Sequence, residues 1–280
     1  MNGVAIIALG NKVYGQYAFN LALSIKWNDN APIAVIHDNT SLESLSHEQL
    51  AYFDHLIECK EDFKGEYQKC KFLLHKLSPF NRTLYIDADS LWCPHHTLDP
   101  FLTHDIPLQN NFAISTCGYY NIKEDKSTSD KYMYWGSPYE TAKYFNIIEG
   151  KMPKTFAGFF IFDKCEAVDR VFERALEVYE SNAPCSEWNN GKPDEYCFNV
   201  ALIDYPLDYD WCPQYFDHFI GFKTHHQIKK EFCSFGMAGH KSHQYIKDLY
   251  NSLIKQYGNK RIETFEYVDK NTVLKSREVW

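Results

Sequence analysis

Short apolar runs alternate with segments of helical periodicity in the first half of the chain. Val4–Leu9 is a continuous apolar run, as expected of a strand that is buried on both faces. Behind Gly10-Asn11, apolar residues recur at helical spacing and predict a first helix: Tyr14, Ala18, Leu21 and Ile25.

The same alternation continues along the chain. Further strands are predicted at Ile33–Ile36, His55–Glu58 and Thr83–Ile86. A capping-box pattern at Ser46–Gln49 predicts a helix through Phe53, and a longer helix is predicted over Glu66–Leu77. A β-α-β-α-β order is typical of a mostly parallel sheet covered by helices. The predicted fold class is therefore α/β.

The second half is less regular. Its pattern predicts strands at Phe112–Thr116 and Phe159–Phe162, and helices from Glu166 to about Tyr179, with Asp163 as a cap, and over Asp194–Ile203. The polar and aromatic segment 121–144 is interpreted as a mobile loop or an acceptor-side lid. A loop at Gly236–Ser242 precedes a last helix that ends near Gly258. We expect one catalytic domain over residues 1–245 and a helical extension over residues 246–280.

Composition restricts the classes of function. With 280 residues, of which 45% are hydrophobic, the chain can form a sizeable core, and its net charge of −8 argues against a large basic surface for nucleic acid. No apolar run approaches the roughly 18 residues of a membrane span. The start of the chain is interpreted as a strand rather than a signal peptide. Nine cysteines without a Cys-x-x-Cys pair favour reduced thiols and a cytoplasmic location.

Polar residues follow several of the predicted strands: Gly10-Asn11, His37-Asp38 and Asp87-Ala88-Asp89. Ligands of parallel sheets bind beyond the carboxyl ends of the strands, so these residues are expected to line one crevice. Side chains alternate across a strand, so Asp87 and Asp89 are expected to point to one side and Ala88 away from it. A divalent cation would offset the repulsion between the two carboxylates. A second Asp-x-Asp, Asp208–Asp210, follows Pro206 in a predicted loop and is less suited to this role.

These segments carry a resemblance to a known group of enzymes. LYIDADSLWCP resembles the strand and DxD motif of GT-A fold glycosyltransferases, particularly glycosyltransferase family 8, the glycogenin and galactosyltransferase-like group. Ala157–Asp163 resembles the N-x-G strand of that group, Asp194–Asn199 its D-Q-x-x-L-N helix start, and Gly239-His240-Lys241 its late His and Lys segment. Ala157 stands where Asn is common in the group, and Glu195 where Gln is common. The resemblance covers about residues 3–245 in order.

The resemblance implies a GT-A fold, which is a Rossmann-like, mostly parallel sheet flanked by helices. It implies a metal site of Asp87, Asp89 and His240, for which an imidazole favours Mn²⁺ over Mg²⁺, with His225, His226 and His243 as alternatives to His240. The donor nucleotide and sugar are expected to contact a larger set of residues: Ala8, Leu9, Gly10, Asn11, Tyr14, Asp38, Lys71, Asp87, Ala88, Gly158 and Lys241. Tyr14 would stack on the base, Asp38 would bind the ribose or base, and Lys71 and Lys241 would contact phosphate or sugar.

Asp194 and Glu195 are the candidate catalytic carboxylates, near the anomeric centre or the acceptor hydroxyl. The resemblance favours a retaining reaction. Aromatic residues are candidates for the acceptor site: Tyr132, Tyr134, Trp135, Trp188 and Trp211.

The predicted function is metal-dependent transfer of a sugar from a nucleotide-diphosphate donor, with UDP-sugar preferred, to an acceptor hydroxyl. A glycan, a lipid-linked sugar, a protein side chain and a modified DNA base all stay open as acceptors, and so does a homo-oligomer. One alternative is a sugar-1-phosphate nucleotidyltransferase, although Ala8–Lys12 lacks the Arg and the glycines of the phosphate loop of those enzymes. The other alternative is a non-catalytic nucleotide-sugar binding protein.

Overall fold

The computed structural model describes residues 1–93, 96–103, 108–123, 135–187, 191–203 and 205, together with short segments at 216–217, 234–235, 251–252, 255, 263–265 and 276–278. The chain divides into two compact units. Unit 1 comprises Met1–Lys60, Tyr85–Thr103 and Gln214–Trp280, and unit 2 comprises Glu61–Leu84 and His104–Pro213. The predicted division at residue 245 stays a prediction.

The described strands are β1 Asn2–Ala8, β2 Ile33–His37, β3 His55–Glu58, β4 Arg82–Ile86, β5 Leu91–Trp92, β6 Phe112–Asn121, β7 Lys151–Asp163, β8 Phe216–Asp217, β9 Ser234–Phe235, β10 Glu263–Phe265 and β11 Ser276–Glu278. The described α-helices are α1 Lys12–Asn28, α2 His47–Leu50, α3 Leu74–Leu77, α4 Asp99–Leu102, α5 Pro138–Tyr144, α6 Glu166–Glu180 and α7 Asp194–Ala201. Two 3₁₀ helices cover Tyr67–Leu73 and Gln109–Asn111.

Unit 1 is built on parallel strands in the order β3-β2-β1. Val4 pairs with Ile33 and Ala8 with His37, so β1 and β2 end side by side. Both strands are apolar and almost wholly buried, as their continuous hydrophobic runs predict. β4 is the neighbour of β1 in the strand order, and its last residues, Tyr85 and Ile86, belong to unit 1.

The helices of unit 1 begin where the sequence places their caps. Asn11 accepts a hydrogen bond from the Val13 N–H and starts α1, and Ser46 and Gln49 form the predicted capping box of α2. α2 ends at Leu50 rather than at Phe53. On α1, Ala18 is buried while Tyr14 is 38% exposed, so Tyr14 lies outside the core-facing stripe.

The remaining strands of unit 1 are short. β5, β9 and β8 form a three-stranded sheet in that order, and β10 pairs antiparallel with β11. Residues 251–252 and 255 are helical. The β10-β11 pair within the predicted C-terminal extension was not anticipated from the hydrophobic pattern.

Unit 2 is built on the antiparallel pair β6 and β7, both longer than predicted. The predicted helix over Glu66–Leu77 is a 3₁₀ helix over Tyr67–Leu73 followed by α3, and the predicted helices α6 and α7 are confirmed.

Aromatic rings form much of the core of this unit. Phe172 of α6 packs against Phe162 with ring centroids 5.1 Å apart, and against Phe160 and Phe198 at 6.0 and 5.6 Å. Several of the 20 phenylalanine residues of the chain therefore serve packing in this core.

Asp163 has a different role from the predicted helix cap. Its two carboxylate oxygens accept hydrogen bonds from Arg82 Nε and Nη2, at 2.7 and 2.8 Å. α6 instead begins after Cys165, whose side chain makes no capping hydrogen bond. The prediction was wrong because the carboxylate at the end of β7 neutralises the guanidinium of Arg82, which is only 3% exposed at the side chain.

We predict that Asp163→Ala lowers the free energy of unfolding by about 3 kcal/mol, because it removes the carboxylate that pairs with a buried guanidinium. Urea denaturation monitored by circular dichroism measures the change. Glu173→Ala is the matched control, since Glu173 pairs with Lys76 at 3.4 Å on the surface. The control should change stability by less than about 1 kcal/mol. Equal losses in the two variants would contradict the assignment.

Candidate functional site

The turn after β1 is joined to the turn after β2. Gly10 has a φ of 80°, in the left-handed region that favours glycine. Its N–H donates a 2.6 Å hydrogen bond to Asp38 Oδ2. Two of the predicted site segments in unit 1 are thus in direct contact at the carboxyl ends of neighbouring strands, where parallel sheets bind ligands.

Asp38 also organises its own turn. Its Oδ1 accepts hydrogen bonds from the N–H groups of Thr40 and Ser41, at 3.1 and 2.8 Å. Together with the bond from Gly10, the Asp38 carboxylate accepts hydrogen bonds from three backbone N–H groups. These bonds give Asp38 a structural role, and its contact with a ribose or base stays a prediction.

Gly15 lets this turn approach α1. A Cβ atom built on Gly15 would lie 2.0 Å from the carbonyl oxygen of Ser41. No side chain fits at that distance, so the glycine inside the helix is required by close backbone packing. The turn that contains Asp38 is therefore held by α1 as well as by Gly10.

Asp87, Ala88 and Asp89 lie in a tight turn immediately after β4. The strand ends at Ile86, and the Ser90 N–H donates to the Asp87 carbonyl oxygen at 3.0 Å. The argument from strand alternation is therefore wrong for this pair. The turn nevertheless leaves both carboxylates partly exposed while Ala88 and Ser90 are buried. Tyr85 donates a 2.5 Å hydrogen bond to Asp87 Oδ1 and orients that carboxylate.

The other residues of unit 1 that were predicted to contact the nucleotide sugar differ in the exposure of their side chains. Ala8 and Leu9 are buried, at 0% and 4% exposure, and their side chains serve the core. Tyr14 presents a partly exposed ring on the first turn of α1.

Unit 2 holds the predicted catalytic carboxylates. Asp194, the first residue of α7, forms an ion pair with Lys71, whose Nζ lies 2.5 Å from Asp194 Oδ2. Lys71 Nζ also donates to the Ala157 carbonyl oxygen at 3.2 Å. The side chains of Lys71 and Asp194 are only 13% and 10% exposed. The resemblance to GT-A enzymes placed Lys71 and Asp194 in one site, and the structure brings the two side chains together.

The two neighbouring carboxyl groups have opposite pKa shifts. Burial favours the neutral form of Asp194, but the charge of Lys71 and its hydrogen bond outweigh burial and hold the pKa of Asp194 below its usual value. Burial, and then the negative charge of Asp194, raise the pKa of Glu195 well above its usual value. Such divergent pairs are typical of functional sites.

A β-bulge shapes the strand that faces Lys71. Ile114 pairs with Phe160, and the next residue, Ser115, pairs with Phe156. Three residues of β7, Ala157-Gly158-Phe159, therefore have no counterpart on β6. The bulge contains Gly158, and the carbonyl of Ala157 within it accepts the hydrogen bond from Lys71.

Thr155, which the sequence analysis did not single out, and Asn199, the last residue of the segment that resembles the D-Q-x-x-L-N helix start, fix α7 against β7. Asn199 Oδ1 accepts hydrogen bonds from both the N–H and the Oγ1 of Thr155, each at 2.8 Å. Thr155 Oγ1 also approaches the Glu195 carbonyl oxygen at 3.4 Å. The sequence signal for the role of Asn199 is its position as a polar residue between the apolar residues Phe198 and Val200 on a buried helix, because a buried polar side chain needs a hydrogen-bond partner. These bonds hold the turn that carries Asp194 and Glu195.

Several predicted site residues lie outside the described residues: Tyr132, Tyr134, Trp188, Asp208, Asp210, Trp211, His225, His226, His240, Lys241 and His243. Trp135 is described, and its carbonyl accepts the Ser186 N–H at 2.7 Å. Within the described part of the chain, no group of three or more His, Cys, Asp or Glu side chains is placed to hold a metal ion. Asp87 and Asp89 supply two candidate ligands, and the third predicted ligand, His240, is among the residues not described.

Comparison with solved structures identifies the fold. The bifunctional glycosyltransferase WbbM, in its apo structure, matches with a TM-score of 0.54 and 16% identity. The match covers 90% of this chain and 49% of WbbM, so the chain spans about half the length of that protein. The galactosyltransferase LgtC, in complex with donor and acceptor sugar analogues, matches with a TM-score of 0.55 and 13% identity over 90% of this chain and 96% of LgtC.

A structure of an LgtC active-site mutant, in which a glutamine is replaced by glutamate, matches over the same shares with a TM-score of 0.54 and 14% identity. The chain has a GT-A fold. No protein-family model and no curated protein sequence matches it. The predicted fold class is confirmed, whereas membership of glycosyltransferase family 8 stays a prediction.

In the described part of the chain, no helix is both long and apolar enough to cross a bilayer.

We predict that Asp38→Ala destabilises the protein by about 1–3 kcal/mol without any ligand present, because three backbone N–H groups lose a charged acceptor. Thermal and urea unfolding of the ligand-free protein measure the loss. Asp62→Ala is the control, since exposed Asp62 accepts a single backbone hydrogen bond, from Lys64. An Asp38→Ala protein as stable as the control would show that this carboxylate does not hold the turn.

Proposed function

We propose that the chain is a glycosyltransferase that moves a sugar from a nucleotide-diphosphate donor to an acceptor hydroxyl. The observation that supports this most directly is a GT-A fold over 90% of the chain, with Asp87-Ala88-Asp89 in the turn that ends a buried strand. LgtC, which shares the fold, was solved with donor and acceptor sugar analogues.

The proposal assigns the nucleotide to unit 1. Gly10 and Asp38 lie together at the ends of β1 and β2, and Asn11 begins α1 beside them. Backbone close to a glycine can approach a ligand without side-chain interference. Tyr14, on the first turn of the same helix, exposes a ring of the kind that stacks on a base. UDP is the preferred nucleotide on the basis of the resemblance to family 8.

The carboxylate oxygens of Asp87 and Asp89 are suitable ligands for a divalent cation. Both are hard oxygen ligands, both are partly exposed in one turn, and Tyr85 fixes the orientation of Asp87. Asp87 and Asp89 would hold Mn²⁺ or Mg²⁺, with His240 as the proposed third ligand, for which Mn²⁺ is the better match. A bound cation would neutralise the charge that develops on the departing diphosphate.

Within unit 2, a role in binding sugar hydroxyls is proposed for the carboxyl groups held at the start of α7. Lys71 neutralises Asp194, and the bond from Lys71 to Ala157 fixes this ion pair to the bulge of β7. Held carboxyl groups of this kind can bind sugar hydroxyls with defined geometry. Retention of the anomeric configuration is proposed from the resemblance. A glycan, a protein side chain and a modified nucleobase are the proposed acceptor classes.

We predict that Asp89→Asn reduces donor hydrolysis and transfer by at least about 100-fold, because loss of a cation that stabilises the leaving group costs several kcal/mol. EDTA should cause the same loss, and added Mn²⁺ should restore only the unaltered protein. The assay measures release of the nucleoside diphosphate from a panel of UDP-, GDP- and CMP-sugars, which requires no acceptor.

Asp62→Asn, at an exposed aspartate of unit 2, is the control for the general effect of removing a negative charge. Its hydrolysis should equal that of the unaltered chain. Hydrolysis that persists in EDTA and in Asp89→Asn would exclude the metal-dependent mechanism. Pyrophosphate release from a nucleoside triphosphate would instead support a nucleotidyltransferase.

A further inference from the structure

The first turn of α7 is weakly held by its own helix. Its N-cap is Pro193, which makes no side-chain capping hydrogen bond. The backbone bond that closes this turn, from the Cys197 N–H to the Pro193 carbonyl oxygen, is long, at 3.4 Å. Asp194 and Glu195 belong to the same turn. The position of their carboxyl groups therefore depends on contacts from other elements.

Thr155 of β7 provides such a contact. It is 2% exposed, and its N–H and Oγ1 both donate to Asn199 Oδ1, each at 2.8 Å. Its Oγ1 also lies 3.4 Å from the Glu195 carbonyl oxygen. Because a backbone N–H can only donate, the amide oxygen of Asn199 must face Thr155, which fixes the orientation of that amide. Thr155 thus joins β7 to two residues that lie one helical turn apart on α7.

The same stretch of β7 also holds the partner of Asp194. The Ala157 carbonyl oxygen, two residues after Thr155, accepts the hydrogen bond from Lys71 Nζ at 3.2 Å. Lys71 Nζ lies 2.5 Å from Asp194 Oδ2. One segment of β7 therefore contacts both sides of this ion pair. Thr155 contacts the helix that carries Asp194, and Ala157 contacts the lysine.

We propose that Thr155 is a positioning residue, whose hydroxyl group sets the place of Asp194 relative to Lys71 and thereby orients the carboxyl groups that bind the transferred sugar. The inference rests on the proposed function and assigns to Thr155 an effect on the reaction that is exerted through α7. Without the hydroxyl group, Thr155 loses two of its three hydrogen bonds to α7. The start of α7 is then less firmly held against the strand that contacts Lys71.

Three variants separate the hydroxyl group from the general effect of a substitution in the core. Thr155→Val is nearly isosteric and lacks the hydroxyl group, whereas Thr155→Ser keeps it. Thr83→Val is the matched control, because Thr83 is a buried strand residue whose Oγ1 lies 2.7 Å from Ser78 Oγ. Thr83 belongs to the same unit as Thr155. Both valine variants should lower the melting temperature measured by circular dichroism, since each removes a buried hydrogen bond.

Hydrogen exchange of the ligand-free protein, followed by mass spectrometry, measures the contact with α7 directly. The amides of residues 194–199 should exchange about fivefold faster in Thr155→Val, because losing a hydrogen bond shifts the local opening equilibrium by about that factor. Thr155→Ser should restore the protection, and Thr83→Val should leave this segment unchanged. Exchange of residues 194–199 that is the same in Thr155→Val as in the unaltered protein would overturn the proposal.

Donor hydrolysis measures the effect on the reaction. We expect Thr155→Val to lower kcat about tenfold, because a small displacement of groups that position the sugar is costly in the transition state. KM should change less than about twofold, since the proposed nucleotide contacts lie in unit 1. Thr155→Ser should recover most of the rate, and Thr83→Val should keep the kcat of the unaltered protein below its melting transition. An unchanged kcat in folded Thr155→Val would overturn the positioning role.

The two measurements separate this inference from the proposed function. If residues 194–199 exchange faster in Thr155→Val and the unaltered protein turns over no nucleotide sugar, the contact with α7 is supported and the transferase function fails. If sugar is transferred at the same kcat by Thr155→Val and the unaltered protein, the transferase function stands and the positioning role is excluded.

Discussion

A carboxylate at the end of a buried strand or at the start of a buried helix must be given donors or a counter-charge, because burial without them is costly. Each such aspartate here is stabilised by a different partner. Asp38 accepts hydrogen bonds from three backbone N–H groups, and Asp87 accepts one from the Tyr85 hydroxyl. Asp163 forms an ion pair with Arg82, and Asp194 forms one with Lys71. Gly10, Arg82 and Lys71 come from elements other than those of the aspartates they contact, so Asp38, Asp163 and Asp194 also join separate segments of the backbone.

The consequence is that, in each unit taken by itself, the proposed binding groups are oriented before any ligand binds. The turn after β2 is fixed by Asp38 and by close packing against Gly15. The start of α7 is fixed by Asn199, Thr155 and Lys71. Groups that are already oriented lose little conformational entropy on binding, which is the general advantage of preorganised sites.

The sequence could predict the features that depend on local pattern. The apolar runs of β1 and β2 and the capping box at Ser46 follow from periodicity and from short-range hydrogen bonding. The turn at Asp87–Asp89 was not predicted, because the apolar run alone does not show that the strand ends at Ile86. The role of Asp163 could not be predicted from local pattern, because its partner Arg82 is distant in sequence. A helix cap at position 163 is equally compatible with the residues around it. The bulge at Ala157–Phe159 depends on the register between β6 and β7, which the pattern of either strand alone does not contain.

The balance of charge connects these local arrangements with the proposed chemistry. The chain carries a net charge of −8, and the proposed donor is itself an anion. Long-range repulsion between exposed charges is weakened by salt, whereas a bare carboxylate inside the binding site would act on the donor at short range. Pairing Asp194 with Lys71 matches one such charge with an ammonium group, so the carboxylate can keep its place at the start of α7 without repelling an anionic donor as a bare carboxylate would.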